Sequence, residues 1–534
     1  IVKNAWYSTT PNPDVAFYDV DISYDRNSNI TWVEDNTHAG FDVQYTMDDL
    51  DRLIDAEEGT RSGASITTRK RHQTWTTLDH VGNWDRSKLD LDGDDNWNET
   101  DEYDDTRTNN KVNELTTRDT DSNGPANYTL AYDAAGNLTD DAESYEYVYD
   151  AFYRLRKVKN QSGTVLAEYG YNGLGHMILV HEDTDADGDA DGSDVKFHPA
   201  YDEGWREVAR YREGDASPKE QFVNAMAGLD GYGHSSYIND VVLRDRDNTS
   251  GWLAASDGTL EERYYLCPNW RGDMSVLVHH QRYTAEWVKY SPYGIPFGLP
   301  GGDANSDGDN DATDATQIQA WIDAPAYDVR GDVDLDGDVD STDKALAQTT
   351  PLASNALAWK SLSDDAFANR RGNGGYERIG AESMCHVRNR ILAALLGTWL
   401  QRDSFAPHET ENLYEYAQGN PILRHDATGL RSQTPDPSGT PPQSTNLNCL
   451  TLTAVPPTGT SLSLVGPCAS DVVQVGDCSI QSCNRTSWCK LAVCVGEYCE
   501  FWPASCGETV LLQCVLPDGR NHATATCIAR PVTR

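Results

Sequence analysis

Four stretches of this 534-residue chain crowd carboxylates at alternate positions. "DTDADGDADGSD" places Asp183, Asp185, Asp187, Asp189, Asp191 and Asp194 around Gly188. "DANSDGDNDATD" places Asp303, Asn305, Asp307, Asp309, Asp311 and Asp314 around Gly308, and "DVDLDGDVDSTD" places Asp332, Asp334, Asp336, Asp338, Asp340 and Asp343 around Gly337. Like charges so close repel, so such a run protonates in part or holds a cation. Oxygen ligands at positions 1, 3, 5, 7, 9 and 12, with glycine at the sharp turn of position 6, are the spacing of a calcium loop. A solvated acidic turn is the alternative, and recurrence of one register in three places favours calcium. A fourth run, "DLDGDDNWNETD", keeps Asp90, Asp92, Asp94, Asn98 and Asp101 but has Asp95 where glycine is expected. Position 12 is Asp in every loop. That shorter arm suits extracellular calcium, where sites with dissociation constants of roughly 10⁻⁴ to 10⁻³ M still fill.

The elements that must carry these loops show in the charge and cysteine distributions. The formal net charge is -42, and after Leu430 the chain has seven acidic and six basic residues, so nearly all the excess lies before it. A domain boundary near 430 follows. This much negative charge argues against nucleic acid and anionic membranes as partners, and it also fits a salt-adapted surface, the rival to calcium binding. Ten of the twelve cysteines fall between Cys449 and Cys527, after a Pro/Ser/Thr linker over 431–448. An even number in a short tail reads as a disulfide framework in an oxidising compartment, with zinc the rival. No pair has the two-residue gap of a zinc knuckle, and the tail has one histidine, His522. The chain starts at Ile1 with no export signal, which fits a mature or truncated form. The most apolar stretch, "ILAALLGTWL", is too short to cross a bilayer, so no membrane insertion is expected.

Residues 1–300 repeat a pattern. An aromatic-alternating run leads to Asp or Asn, and four residues later stands Asn, Arg or His. The pairs are Asp25 and Asn29, Asp48 and Arg52, Asp79 and Asn83, Asp133 and Asn137, Asp150 and Arg154, and Asn172 and His176. This reads as strand, tight turn, strand, in about six clear units. The acidic loops then look like insertions at turns.

These units resemble the YD repeat, Y-x-Y-D-x-x-G-R/N-L, of the RHS/YD-repeat family. The match extends to "WVKYSPYGIPFG" at Trp287–Gly298, and its most specific part, His386 to Leu430, resembles the RHS-associated core that closes the repeat region. The two loops followed by "DATQIQAWID" and "STDKALAQ" look like a dockerin-type pair of calcium loop–helix units. The resemblance implies a mainly β fold: YD-repeat hairpins in a spiralling β-sheet shell (1–300), a small α-helical calcium-binding insert (301–350), the core (351–430), the linker, and a disulfide-rich C-terminal module (449–534). Stacked hairpins cover the faces and edges that single hairpins leave exposed.

In many members of the family the core ends in D-P-x-G-L and cuts its own chain after the leucine, using two aspartates as a proton-sharing pair. The matching residues are Asp403 and Asp426, with the bond after Leu430, but Ser404 and Ala427 replace the prolines. Without self-cleavage, Asp426 and Gly429 form only a turn. "RGD" at Arg271–Asp273 falls at an expected hairpin turn, and His279 and His280 lack a third metal ligand. Three functions are therefore expected in turn. The first is a secreted or surface structural protein, a calcium-stabilised shell or a fibre subunit that pairs with its own copies. The second is a delivery shell that releases a C-terminal effector. The third is a binding module for a cohesin-like or surface partner.

Overall fold

Alternation of apolar and polar residues in short runs builds an antiparallel strip here. The computed structural model describes residues 2–430 except 9–14, 123, 186, 226–238, 250, 350–351, 353–359, 364–365, 381–383 and 405–410, and only strand backbone beyond 448. A ten-stranded sheet runs in strict chain order from β1 (Lys3–Ser8) to β10 (Tyr128–Thr129), and a fourteen-stranded sheet does the same from β11 (Ala131–Tyr132) to β24 (Pro296–Pro300). Leu130 alone separates β10 from β11, and its N–H bonds Thr116 O at 3.0 Å, so the strip is nearly continuous.

A meander sends successive connections to alternate ends of its strands. One rim carries the YD-type turns. Each follows one plan: the first residue's N–H bonds the fifth residue's carbonyl at 2.8–3.0 Å, and the fourth residue has positive φ. At Asp150 the carboxylate also accepts the N–H groups of Phe152 and Arg154, and its second oxygen takes Arg154 Nε at 2.8 Å. That last bond is why Asp and Arg or Asn recur four apart. A one-residue bulge precedes the turn at the tyrosine position, as at Val148/Tyr149 and Gly170/Tyr171. Beyond the six units named above, the described residues form the same turn on this rim at Asn110–Glu114, Asp202–Arg206, Asn269–Asp273 and Ser291–Ile295, and on the opposite rim at Asn160–Thr164 and His279–Tyr283. The strip is thus longer than six units, because the turn needs an acceptor at its first position and a left-handed fourth residue, not the full motif.

The opposite rim carries all four acidic runs. Residues 90–101 join β7 (Trp84–Asp90) to β8 (Tyr103–Asn109), 183–194 join β16 (Met177–Glu182) to β17 (Lys196–Tyr201), and 303–314 and 332–343 follow β24 (Pro296–Pro300). Two helices, α1 (Ala312–Asp323) and α2 (Ser341–Ala347), follow the last two loops. Residues 377–399 add a four-stranded sheet, and the segment after it laces the first rim: Asn420 Nδ2 bonds Asp51 O (2.8 Å), Asn412 Nδ2 bonds Asn83 Oδ1 (3.0 Å), and Tyr414 Oη bonds Gly136 O (2.7 Å). Trp75, Trp84, Trp287, Tyr293, Trp399 and Tyr416 share one core cluster drawn from both sheets and this segment.

The chain divides into compact units Ile1–Thr440 and Pro441–Arg534. In the second, a four-stranded and a three-stranded antiparallel sheet form. The disulfide expectation concerns cysteine side chains that lie outside the described residues, as do linker residues 431–448. Among the described residues, no helix is long and apolar enough to cross a membrane.

Candidate functional site

The three glycine-bearing acidic loops share one arrangement of hydrogen bonds. The position-1 carboxylate accepts the position-6 N–H: Gly188 to Asp183 at 2.8 Å, Gly308 to Asp303 at 3.0 Å, Gly337 to Asp332 at 2.9 Å. These glycines have φ of 102°, 103° and 98°, where a Cβ would be strained. The position-12 carboxylate spans its loop. Asp194 accepts Thr184 N and Asp191 N, Asp314 accepts Asn305 N and Asp311 N, and Asp343 accepts Val333 N and Asp340 N. In the last two loops Asp311 and Asp340 also cap α1 and α2, with Asp314 and Asp343 completing capping boxes.

These bonds leave oxygens over. Asp183 Oδ1, Asp189 Oδ1, Asp309 Oδ1 and Asp334 Oδ1 are buried without a hydrogen-bond partner. Carboxylate oxygens of Asp183, Asp185 and Asp194, and of Asp303, Asp307 and Asp314, lie within 4.8 Å of one another. An unpaired buried carboxylate oxygen is costly, and several convergent ones fit a hard cation taking oxygen ligands. Without one, burial raises Asp303 and Asp343 to about 7 and Asp332 to about 6. Asp185, Asp187, Asp191, Asp307, Asp311, Asp336, Asp338 and Asp340 are exposed at the loop surfaces.

The fourth loop departs from its expected ligand set. Asp95 adopts φ 65° at the glycine position, and its N–H bonds Asp90 at 2.7 Å, as glycine does elsewhere. Asp90, Asp92 and Asp94 converge within 4.8 Å. Asp101 does not close the loop; it is exposed and faces Lys360 at 3.5 Å. Glu102 takes that role. Its Oε1 accepts Leu91 N at 2.9 Å, matching Thr184 to Asp194 and Val333 to Asp343, and its Oε2 is buried without a partner. Asn98 is exposed. Counting to position 12 hid Glu102, although it is the only Glu beside the end of any loop and the longer arm spans the extra residue. Asp95 also pairs with Arg69 at 2.7 Å and His72 at 3.1 Å.

The two core aspartates do come together. Arg390 Nη2 lies 3.0 Å from Asp403 Oδ2 and 3.4 Å from Asp426 Oδ2. Asp426 Oδ1 accepts Thr428 N at 3.1 Å and Leu430 N at 3.2 Å, so this carboxylate reaches the residue before the expected cut. Tyr376 Oη accepts Asp426 N and donates to Asp426 O, and Arg390 also bonds Gly429 O. The arginine lies between the two carboxylates, an arrangement that differs from two carboxyls sharing one proton directly. In the RGD tripeptide, Arg271 and Asp273 are buried and paired at 2.6 Å, with Arg271 bonding Pro421 O. His279 is buried against Tyr283, and burial lowers it to about 4.

No protein-family model matches the sequence, and no curated protein matches it significantly. Solved structures do. A crystal structure of TcdB2-TccC3 aligns at TM-score 0.50 and 16% identity over 79% of this chain. A TcdB2-TccC3-TEV crystal structure aligns at 0.50 and 15% over 80%, as does a Tc holotoxin pore from Photorhabdus luminescens. The fold is an RHS-like β-shell. At this identity the likeness is one of fold alone, and the chain covers 18% of each of those chains.

Proposed function

We propose that this chain is a calcium-stabilised wall of a secreted or surface-exposed RHS-type shell, a structural element of an extracellular assembly. The observation that carries it is the set of buried, unpartnered carboxylate oxygens repeated in the acidic loops of one rim. Calcium, when bound, offsets the repulsion among these groups; the chain's own part is to fix loop shape through the glycine turns and the position-12 carboxylates. Because metal binds the folded form alone, it stabilises by mass action. The test is thermal unfolding in calcium and in chelator, at salt high enough to screen surface charge, with terbium luminescence as a direct count of sites. A melting point that does not move, with no sensitised terbium signal, ends this reading. The first strand β1 (Lys3–Ser8) is engaged by its own chain, with Trp6 Nε1 bonding Pro268 O and Ser8 Oγ bonding Leu335 O. That favours a closed wall over an open-ended fibre of self-paired copies. The insert's apolar residues, Ile318 and Ala347, lie in a core shared with strip residues Tyr264 and Leu277, which disfavours a free docking module for a cohesin-like partner.

A second reading, a delivery shell that frees its C-terminal module, rests on the meeting of Asp403, Arg390 and Asp426 beside Leu430. The solved neighbours are multi-subunit toxin complexes, which supports assembly with other subunits. Intact-mass measurement of purified protein separates the readings: a cut after Leu430 that Asp426→Asn abolishes supports delivery, and an uncut chain supports the wall alone.

A further inference from the structure

The two loops that follow β24 do more than offer oxygens. Their fourth residues, Ser306 and Leu335, both take left-handed backbone conformations, with φ of 62° and 53°. Each thereby turns its carbonyl outward to a strand of the first sheet. Ser306 O accepts Lys70 Nζ at 3.0 Å, from β6 (Ser65–Leu78), and Leu335 O accepts Ser8 Oγ at 3.2 Å, from β1. The same insert is tied to the far end of the strip, where Val333 O accepts Thr284 N at 3.2 Å, from β23 (Thr284–Tyr290). Packing spans the seam as well. Leu335 is buried in the cluster drawn from both sheets, with Phe17 and Trp75 of the first and Val276 and Trp287 of the second, and Val333 in the one that contains Leu277 and Val288 of the second. A leucine at positive φ is disfavoured in isolation, so something must hold it. Its loop is held between the position-1 and position-12 carboxylates, Asp332 and Asp343, both buried.

We infer that loops 303–314 and 332–343 form a calcium-dependent clasp across the seam between the first strands of the strip and its last, with the position-4 carbonyls of Ser306 and Leu335 as the hooks. The inference rests on the calcium reading above and adds what the metal controls: closure of the shell at one seam. In the metal-free state the carboxylates of each loop repel, the position-4 turn loses its support, and β1 and β6 lose their hold on the insert. Loop 183–194 joins neighbouring strands of the second sheet, and its described residues make no hydrogen bond to the first sheet, so its metal stiffens one hairpin only.

Hydrogen exchange on the full chain tests this. On chelation, amides of β1 and of residues 301–349 should exchange at least roughly tenfold faster, reflecting local opening rather than global unfolding. A double variant, Ser8→Ala with Lys70→Met, removes both hook partners but no metal ligand. It should bind terbium with unchanged stoichiometry while its β1 amides exchange quickly even in calcium. Asp187→Asn, in the loop between β16 and β17, should lose one terbium site with the seam still protected. Protection of β1 that is equal with and without calcium, in a protein that binds terbium, overturns the clasp and leaves the calcium reading intact. Absence of terbium binding overturns the calcium reading and the clasp with it. Unaltered seam protection in the double variant also overturns the clasp.

Discussion

The two rims of the strip use aspartate for opposite ends. On the YD rim a single Asp per turn is consumed by its own backbone: Asp133 accepts Ala135 N and Asn137 N, and its other oxygen takes Asn137 Nδ2. Nothing is left over, and the core segment closes the rim with neutral amides such as Asn412 and Asn420. On the acidic rim the same side chain first shapes a turn, as Asp303 does for Gly308, and then further carboxylates converge with oxygens to spare. Hydrogen-bond satisfaction, rather than residue type, separates a turn-former from a ligand. One rim should therefore be indifferent to calcium and the other governed by it.

The largest expected effect lies on the indifferent rim. Arg271→Met leaves Asp273, 1% exposed, without its cation. Removing one partner of a buried pair costs about 3–5 kcal/mol. Denaturant unfolding should show that loss equally in calcium and in chelator; a calcium-dependent loss would erase the distinction between the rims. Next comes Asp336→Asn in the loop before α2. In chelator it should be neutral or mildly stabilising, since it relieves the repulsion that raises Asp338. In calcium at a hundredfold over the dissociation constant, loss of one site removes up to about 2.7 kcal/mol. Smaller again is the contrast in the loop between β7 and β8. Glu102→Gln should lose one terbium site, and Asp101→Asn should lose none, because its exposed pair with Lys360 is worth about 0–1 kcal/mol. The reverse result would restore Asp101 as the closing residue.

That contrast marks how far the sequence could be read. The β strip, its YD turns and the placement of acidic loops at turns were legible, because each is a local pattern with a local cause. The turns opened by Asn110 and Asp202 were harder to read, since the first has Glu114 at its fifth position and in the second Trp205 takes φ 61° where the motif has glycine. Glu102 was hidden by one inserted residue. The seam was not legible at all: Ser8 meets Leu335 and Lys70 meets Ser306 across more than two hundred residues, and no periodicity encodes a contact that distant. Arg390 between Asp403 and Asp426 was missed for the same reason, since sequence spacing gives the carboxylates but not the cation that separates them.

The last contrast is a pH dependence on the YD rim. Glu415 lies against the turn at Gly82, so close that a Cβ there would fall 2.0 Å from its Oε1. Burial raises its carboxyl from 4.5 to about 7; Arg52 and Arg424 favour the ion, and Asp79 opposes it. The folded chain therefore keeps a proton that the unfolded chain releases near 4.5. Its contribution to stability is full below that value, falls as pH rises, and is lost above about 7. Glu415→Gln cannot ionise, so its stability relative to the parent protein should rise between pH 5 and 7.5. Measuring both proteins in saturating calcium keeps the acidic rim constant, and the difference between them isolates this one group. A difference that stays flat with pH would mean that Arg52 already holds Glu415 as an ion, and the first rim would then carry its own buried ion pair rather than a buried neutral acid.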